Sequence, residues 1–158
     1  MSKKILIPLD GSEIGEAALR YIEEMVSALE VGRNVEITLI NVQIPPDQRI
    51  AVHSGYSAER IFTREEMEMM KQNALAYLEK SGERLRNGGV NVRCKVVVRE
   101  ALTSSAEEII KAEEELNIDL VAMSTHGRRG ISRWTFGSVT EKVLRGGNVP
   151  VLVVRAKK

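Results

Sequence analysis

The sequence predicts an α/β fold in which an open five-stranded parallel sheet carries helices on both faces. Short apolar runs alternate with longer stretches of helical periodicity, and this order favours parallel strands joined by right-handed crossovers. The first run, residues 5–9, is continuously apolar, as is typical of a strand covered on both faces. At 158 residues the chain is long enough for a single domain, residues 1–158, with a proper core.

The remaining elements follow from the apolar patterns and from the residues that bound them. The strands are predicted at residues 5–9, 34–42, 90–98, 118–123 and 149–154. The helices are predicted from Ser12 to Gly32, over 63–86, from 104 to near 117 and over 138–145. Ser12 is expected to cap the first helix, and Ser104 and Ser105 each precede a glutamate by three residues, as in a capping box. The polar stretch 47–57 is predicted to be a surface loop.

Composition and charge exclude several classes of function. The 23 basic and 22 acidic residues nearly balance, so no excess of positive charge is available for a nucleic-acid partner. No apolar stretch approaches a membrane span, and Pro8 interrupts the only apolar segment near the start, so neither a membrane partner nor a signal peptide is expected. The single cysteine, Cys94, is predicted to be a buried and inert thiol. A chain with one cysteine suits a reducing compartment, which favours a cytoplasmic location.

A few residues suggest chemistry that the pattern does not support. His53 and His126 are the only histidines, they lie far apart and no cysteine cluster accompanies them, so no metal site is predicted. His126 is expected to brace its loop or face solvent, and no catalytic residue is assigned. The three consecutive glutamates at residues 113–115 are expected to form a solvated helix face.

The edge of the sheet at the carboxyl ends of the strands is the expected binding site. Ligands bind there in open α/β sheets, at the point where the strand order reverses. The segments to consider are therefore those after strands one, two and four. They begin at Asp10, Val42 and Ser124.

The segment after strand four has the chemistry of a phosphate-binding loop. Gly127 and Gly130 allow close backbone approach, and Arg128 lies beside them. Gly137 and Ser138 stand where a helix begins, and free N–H groups and the helix dipole favour an anion there. An alternative reading is that the glycines are turn residues and that Ser138, three residues before a glutamate, only caps its own helix.

The motif in this segment resembles that of the universal stress protein family. The family motif is Gly-x2-Gly-x9-Gly followed by Ser or Thr, and its positions correspond here to Ser124, Gly127, Gly137 and Ser138, with nine residues between the second and third. Residues 5–13 are similar to the family's opening strand and turn, and residues 138–154 to its closing helix and strand. The resemblance implies a Rossmann-like fold of the adenine nucleotide alpha hydrolase-like type.

The resemblance is to the ATP-binding branch of the family and implies a set of cofactor-binding positions. Residues after strand one would hold the base, with Val42 against the adenine ring and Asp10 accepting a hydrogen bond from its amino group. The loop after strand four would hold ribose and phosphates. The implied positions are Pro8, Leu9, Asp10, Val42, Met123, Ser124, Gly127, Arg128, Gly137, Ser138, Val139 and Thr140.

One departure from the motif bears on function, because Ser124 stands where the family has its first glycine. The serine side chain would either crowd a phosphate or bind it through its hydroxyl. A second departure is residues 99–101, Arg-Glu-Ala, where the family often has a glycine.

The resemblance implies a regulatory or stress-response switch that binds ATP, or AMP or ADP, with Mg²⁺ held by phosphates and water, and that has little or no catalysis. A homodimer is expected through a C-terminal edge strand formed by Val151, Leu152, Val153 and Val154. A further, unidentified protein partner is expected for such a switch. Two alternatives remain open: a slow ATPase or nucleotide-dependent enzyme on the same fold, and a structural dimer with an empty cleft.

Overall fold

Ten elements form the part of the chain that the computed structural model describes, which comprises residues 2–29, 34–44, 63–99, 102–125 and 136–156. In chain order they are β1 (Lys3–Pro8), α1 (Ala17–Ala28), β2 (Val35–Gln43), α2 (Arg64–Ser81), α3 (Glu83–Asn87), β3 (Asn91–Val98), α4 (Ser105–Glu115), β4 (Leu120–Thr125), α5 (Ser138–Gly146) and β5 (Val151–Arg155). The predicted surface loop over 47–57, both histidines and Gly32 lie outside the described residues.

The five strands form one parallel sheet in the order β3-β2-β1-β4-β5, which confirms the predicted fold class. Strand β1 lies at the centre, where Ile5 is level with Ile37 of β2 on one side and with Leu120 of β4 on the other. The chain moves outward from β1 to β3 and then returns to the other side of β1. The strand order therefore reverses between β1 and β4, and a crevice is expected at their carboxyl ends.

Both faces of the sheet are covered, because β1 and β2 send alternate apolar side chains into two separate cores. Ile7 and Leu39 face one core, where they pack with Ile22 of α1 and Leu78 of α2. Leu6, Ile40 and Val121 face the other core. Helices α4 and α5 supply its second layer through Ile109 and Val143. The continuous apolar run in β1 thus reflects burial on both sides, as predicted.

The long helix predicted over residues 63–86 is divided in two at Gly82. The first helix ends at Ser81 and the second begins at Glu83. A Cβ atom on Gly82 would lie 3.0 Å from Val92 Cγ1 and 3.3 Å from Leu39 Cδ1, so the chain passes close to the sheet at this residue. At the other end of α2 Thr63 and Glu66 form a reciprocal capping box, which the sequence analysis did not identify.

Helix α1 begins later than its predicted cap. Ser12 Oγ accepts a hydrogen bond from Gly15 N at 3.0 Å, but residues 13–16 form turns and the helix starts at Ala17. The N–H of Ala17 bonds to Ile14 O, three residues back, which is the tighter spacing of a 3₁₀ turn. The prediction that Ser12 caps α1 is therefore wrong, and Ser12 instead stabilises the turn before the helix. Helix α4 does begin at the predicted capping box of Ser104 and Glu107.

Glu113 is not part of a solvated helix face, and this prediction is wrong. The side chain is only 2% exposed, and its Oε1 accepts hydrogen bonds from the N–H groups of Asn148 at 2.6 Å and Val149 at 3.1 Å. These bonds hold the connection between α5 and β5, so β5 begins at Val151 rather than at the predicted residue 149. Similarly, Ile118 N bonds to Glu113 O, and β4 begins only at Leu120.

The thiol of Cys94 is less buried than the sequence predicts. Cys94 on β3 is half-buried rather than fully buried, and burial is the main cause that raises its pKa above the usual value. The thiol therefore stays protonated at neutral pH.

Within the described ranges no helix is long and apolar enough to cross a membrane.

Candidate functional site

The ends of β1 and β4 and the start of α5 meet at the expected edge of the sheet. Strand β1 ends at Pro8 and is followed by Leu9 and Asp10, while Ser124 lies one residue before the end of β4. Helix α5 is joined to this edge because Thr140 Oγ1 donates to Ser124 O at 3.5 Å. The predicted positions Pro8, Leu9, Asp10 and Ser124 thus lie at or just after the carboxyl ends of two adjacent strands.

The N-terminus of α5 has the geometry of an anion-binding site. Gly137 is the N-cap, with φ −60° and ψ 153°, and no side chain caps the helix within the described part of the chain. The alternative reading, in which Ser138 and Glu141 form a capping box, is wrong, because Ser138 is already the first helical residue and Glu141 pairs with Arg145 at 2.9 Å. The first N–H groups of the helix thus remain available to an anion.

Three predicted positions at this end can contribute only main-chain groups or the walls of the site. Thr140 is 4% exposed and its hydroxyl is directed to Ser124 O, while Met123 is 5% exposed and packs in the core beneath α4 and α5. Val139 is half-buried and packs against the same core. Ser138 is exposed at the helix start. Two further predicted residues, Gly127 and Arg128, lie outside the described residues.

Ser124 uses its hydroxyl within the protein. Ser124 Oγ donates to Gly15 O at 2.7 Å and accepts from Ala18 N at 2.8 Å. A serine hydroxyl has one proton, so in this arrangement Ser124 has none to donate to a phosphate. Of the two roles considered for this side chain, binding a phosphate through a donated hydrogen bond does not fit the geometry.

Asp10 is exposed, and one of its two carboxylate oxygens is already engaged. Asp10 Oδ1 accepts from Ser12 N at 2.9 Å and from Ser12 Oγ at 2.6 Å. Among the residues that the structure describes, no group donates to Oδ2. The carboxylate is therefore held by one oxygen and presents the other, which is the arrangement needed to accept a hydrogen bond from a ligand.

A buried amide lies beside the end of β1, and sequence reasoning missed it. Asn41 is 4% exposed, its Nδ2 donates to Leu9 O at 2.7 Å, and its Oδ1 accepts from Gln43 Nε2. Leu9 N also donates to Ile40 O at 2.9 Å, so both main-chain groups of Leu9 are bonded within the sheet. Val42 is half-buried between Asn41 and Gln43 and packs toward the core of α4 and α5. An asparagine inside an apolar strand was the available signal.

The turn that carries Asp10 is also fixed from the side of α2. Tyr77 OH donates to Glu16 Oε1 at 3.0 Å. Burial, followed by this hydrogen bond, raises the pKa of Tyr77 to about 12. Ser124 therefore holds residues 15–18 from β4 while Tyr77 holds Glu16 from α2.

No metal-binding cluster accompanies these residues. Within the described ranges, no group of three histidine, cysteine, aspartate or glutamate side chains is arranged to hold an ion.

Comparisons with known proteins agree with this architecture. The model of the universal stress protein family matches residues 1–155. Universal stress protein MJ0577 of Methanocaldococcus jannaschii is 30% identical over 165 aligned residues, covering 99% of this chain and 97% of the relative. Its solved structure superposes with a TM-score of 0.73 and covers 100% of this chain and 99% of that one.

Two further solved structures share the fold at lower identity. One is a universal stress protein in complex with cAMP, 16% identical with a TM-score of 0.63, covering 99% of this chain and 98% of that one. The other is a universal stress protein family protein from Arabidopsis thaliana with AMP bound, 16% identical with a TM-score of 0.63, covering 98% and 92%.

Proposed function

Because the chain belongs to the universal stress protein family, and because the described residues at its sheet edge include a helix start without a side-chain cap and the exposed carboxylate of Asp10, we propose that it binds ATP and acts as a regulatory switch with little or no catalysis. Relatives of the same fold have been solved with cAMP and AMP, which supports an adenine nucleotide as the ligand class. The Ser124 hydroxyl would then bond to the main chain of residues 15 and 18 rather than to the phosphates.

The observation that carries the proposal is the N-terminus of α5. The other helices are satisfied within the protein. Thr63 and Ser104 cap α2 and α4, Ser124 Oγ accepts from Ala18 N at the start of α1, and the short α3 follows α2 directly at Gly82. Helix α5 has Gly137 instead, and a Cβ atom there would meet no described atom within 4 Å. The described surroundings of Gly137 therefore do not call for a glycine, whereas close approach of a phosphate would.

The base would lie at the other end of the crevice. Asp10 Oδ2 would accept a hydrogen bond from the adenine amino group, and Val42 would pack against the ring. Pro8 and Leu9 would line the site, with Leu9 held in place through Asn41 rather than bonding to the base. The loop residues Gly127 and Arg128 would complete the phosphate end, as the family motif implies. Mg²⁺ would be held mainly by phosphate oxygens and water.

The proposed switch acts through assembly and partners. Nucleotide binding would favour one conformation, and a protein partner that prefers that conformation would respond. We also propose a homodimer through β5, because β5 is an edge strand with half-buried apolar residues on its described surface.

Native mass spectrometry and calorimetry test the proposed function. We expect purified protein to carry or to bind ATP, ADP or AMP, with weaker binding of GTP because the base end presents an acceptor to the adenine amino group. Saturating ATP at about 100 times Kd should stabilise the fold by about 2.7 kcal/mol. Absence of any adenine nucleotide binding at millimolar concentration would refute the proposal and favour the alternative of a structural dimer with an empty cleft.

A further inference from the structure

A chain of hydrogen bonds that passes through the backbone of Gly15 joins the end of β4 to the carboxylate of Asp10. It begins at Ser124 Oγ, which donates to Gly15 O at 2.7 Å. Gly15 N in turn donates to Ser12 Oγ at 3.0 Å. Ser12 then donates to Asp10 Oδ1 through both its hydroxyl, at 2.6 Å, and its N–H, at 2.9 Å. Each hydroxyl has one proton and at least one accepting lone pair, so every bond in the chain is chemically consistent.

Gly15 adds a steric contact to this chain. A Cβ atom on Gly15 would overlap Asp10 Oδ1 and lie 3.1 Å from Ser12 Oγ. The carboxylate therefore rests directly against the glycine backbone. A displacement of Gly15 would move both the hydroxyl that holds Oδ1 and the surface against which the carboxylate lies.

Ser124 is the fixed end of the chain because it also caps α1. Glu16, the N-cap residue, makes no side-chain cap hydrogen bond. The N–H of Ala18, the second helical residue, instead donates to Ser124 Oγ at 2.8 Å. A hydroxyl 106 residues away thus does what a local cap does elsewhere. Glycine, which the family motif has at this position, has no side chain with which to make either bond.

We propose that Ser124, Gly15 and Ser12 are positioning residues that orient the Asp10 carboxylate for base recognition. The residue that replaces the first motif glycine thereby acts on the base end of the crevice, although it lies where the phosphate loop begins. It does so by engaging Oδ1 through the chain, which leaves Oδ2 to the base. This inference rests on the proposed function.

The test compares Ser124→Ala with Ser104→Ala, which removes a helix-capping hydroxyl that has no hydrogen-bonded connection to Asp10. The first readout is the ratio of GTP to ATP dissociation constants. Ser124→Ala should lower this ratio about fivefold, as expected for one lost hydrogen bond, and toward that of Asp10→Ala. Ser104→Ala should leave the ratio at the wild-type value, and Asp10→Ala should change it little further when added to Ser124→Ala.

The second readout needs no nucleotide. The backbone amide resonance of Ser12, whose N–H bonds to Asp10, should shift in Ser124→Ala and stay in place in Ser104→Ala. Ser12→Ala removes the exposed hydroxyl that donates to Asp10. It should lower the ratio of GTP to ATP dissociation constants even if Ser124→Ala does not fold.

The outcomes separate the two ideas. If Asp10→Ala lowers the ratio while folded Ser124→Ala and Ser12→Ala retain it, the positioning role is refuted, whether or not the Ser12 resonance moves. If the wild-type protein binds no adenine nucleotide, the proposed function fails. The Ser12 amide resonance in Ser124→Ala then decides alone whether these hydrogen bonds orient Asp10. An unchanged resonance refutes the positioning role.

Discussion

Replacing Gly137 by aspartate should stabilise the free protein and weaken its binding of nucleotide by about 100-fold or more. The backbone at Gly137 has φ −60° and ψ 153°, which any residue adopts, and an added Cβ meets no described atom within 4 Å. An aspartate there is a preferred N-cap, and its charge interacts favourably with the helix dipole, so we expect a gain of about 0.5–1 kcal/mol. The same carboxylate would occupy the N–H groups that a phosphate needs. It would also repel the phosphate, by about 4 kcal/mol for unit charges about 4 Å apart at an effective dielectric constant of about 20.

Thermal unfolding with and without ATP measures both effects together. At an ATP concentration of about 100 times the wild-type Kd, the wild type gains about 2.7 kcal/mol, whereas a variant with 100-fold weaker binding gains only about 0.4 kcal/mol. The variant should therefore melt above the wild type without ATP and below it with ATP. Gly137→Ala adds only the Cβ atom and separates steric from electrostatic effects. Equal stabilisation of the aspartate variant and the wild type by ATP would refute the assignment of this helix end to phosphate.

Three further predictions concern other parts of the molecule. Glu113→Ala should lower the free energy of unfolding in denaturant by about 2–4 kcal/mol, because two N–H groups lose their buried acceptor, whereas the exposed neighbour Glu114→Ala should cost under about 0.5 kcal/mol. Tyr77 should ionise near pH 12 in an absorbance titration, and Tyr77→Phe should remove this last step of the titration curve. Because the pKa of Tyr77 is raised on folding, its contribution to stability is complete below about pH 10 and is lost as pH rises toward 12. Val153→Pro should convert the proposed dimer to a monomer, as measured by light scattering. Ala156 N donates to Thr125 O of β4, and successive residues of a strand point to opposite sides, so Val153 N faces away from β4 and would be lost as a donor to a second copy. A monomeric wild type at micromolar concentration would contradict this.

The sequence was sufficient to predict the order of elements, because burial on both faces leaves an unambiguous record. Residues 5–7 are apolar without interruption, and in the structure Leu6 faces one core while Ile5 and Ile7 face the other. The edge of the sheet that holds the candidate site followed from this order alone. Local patterns were less reliable at element ends. The Ser-x-x-Glu pattern at Ser138 occurs in the sequence, yet the helix begins one residue too early for Ser138 to act as a cap.

Long-range hydrogen bonds were beyond sequence reasoning, because nothing local marks them. Ser124 and Gly15 lie 109 residues apart, and neither residue type reveals that one caps the helix after the other. Glu113 was different, because a signal was present. It follows Ala106 and Ile109 at intervals of three and four residues, which places it on the buried face of α4. The run of three glutamates obscured that periodicity.

ATP turnover is the property that separates a switch from an enzyme, and we expect it to be absent or far below the roughly 1–10³ s⁻¹ typical of enzymes. Phosphoryl transfer to water needs a residue that orients the attacking water near the terminal phosphate. From residue 118 to the end the chain has only two acids, Asp119 and Glu141. Asp119 lies at the opposite end of β4, where Lys4 N and Lys3 lower its pKa, and Glu141 pairs with Arg145 at 2.9 Å.

Phosphate release by highly purified protein tests this expectation, with Gly137→Asp as the matched control for a blocked phosphate site. Turnover near one per second in the wild type that disappears in the variant would overturn the switch and establish an enzyme. Slow release that is equal in both proteins would indicate a contaminating ATPase, because the two differ only at the helix end proposed to bind the phosphate. Bound nucleotide without release is the expected result. Two features of the proposed site lead to this expectation. The helix N–H groups would neutralise phosphate charge already in the ground state, and neither acid of the segment from residue 118 onward is placed to activate water.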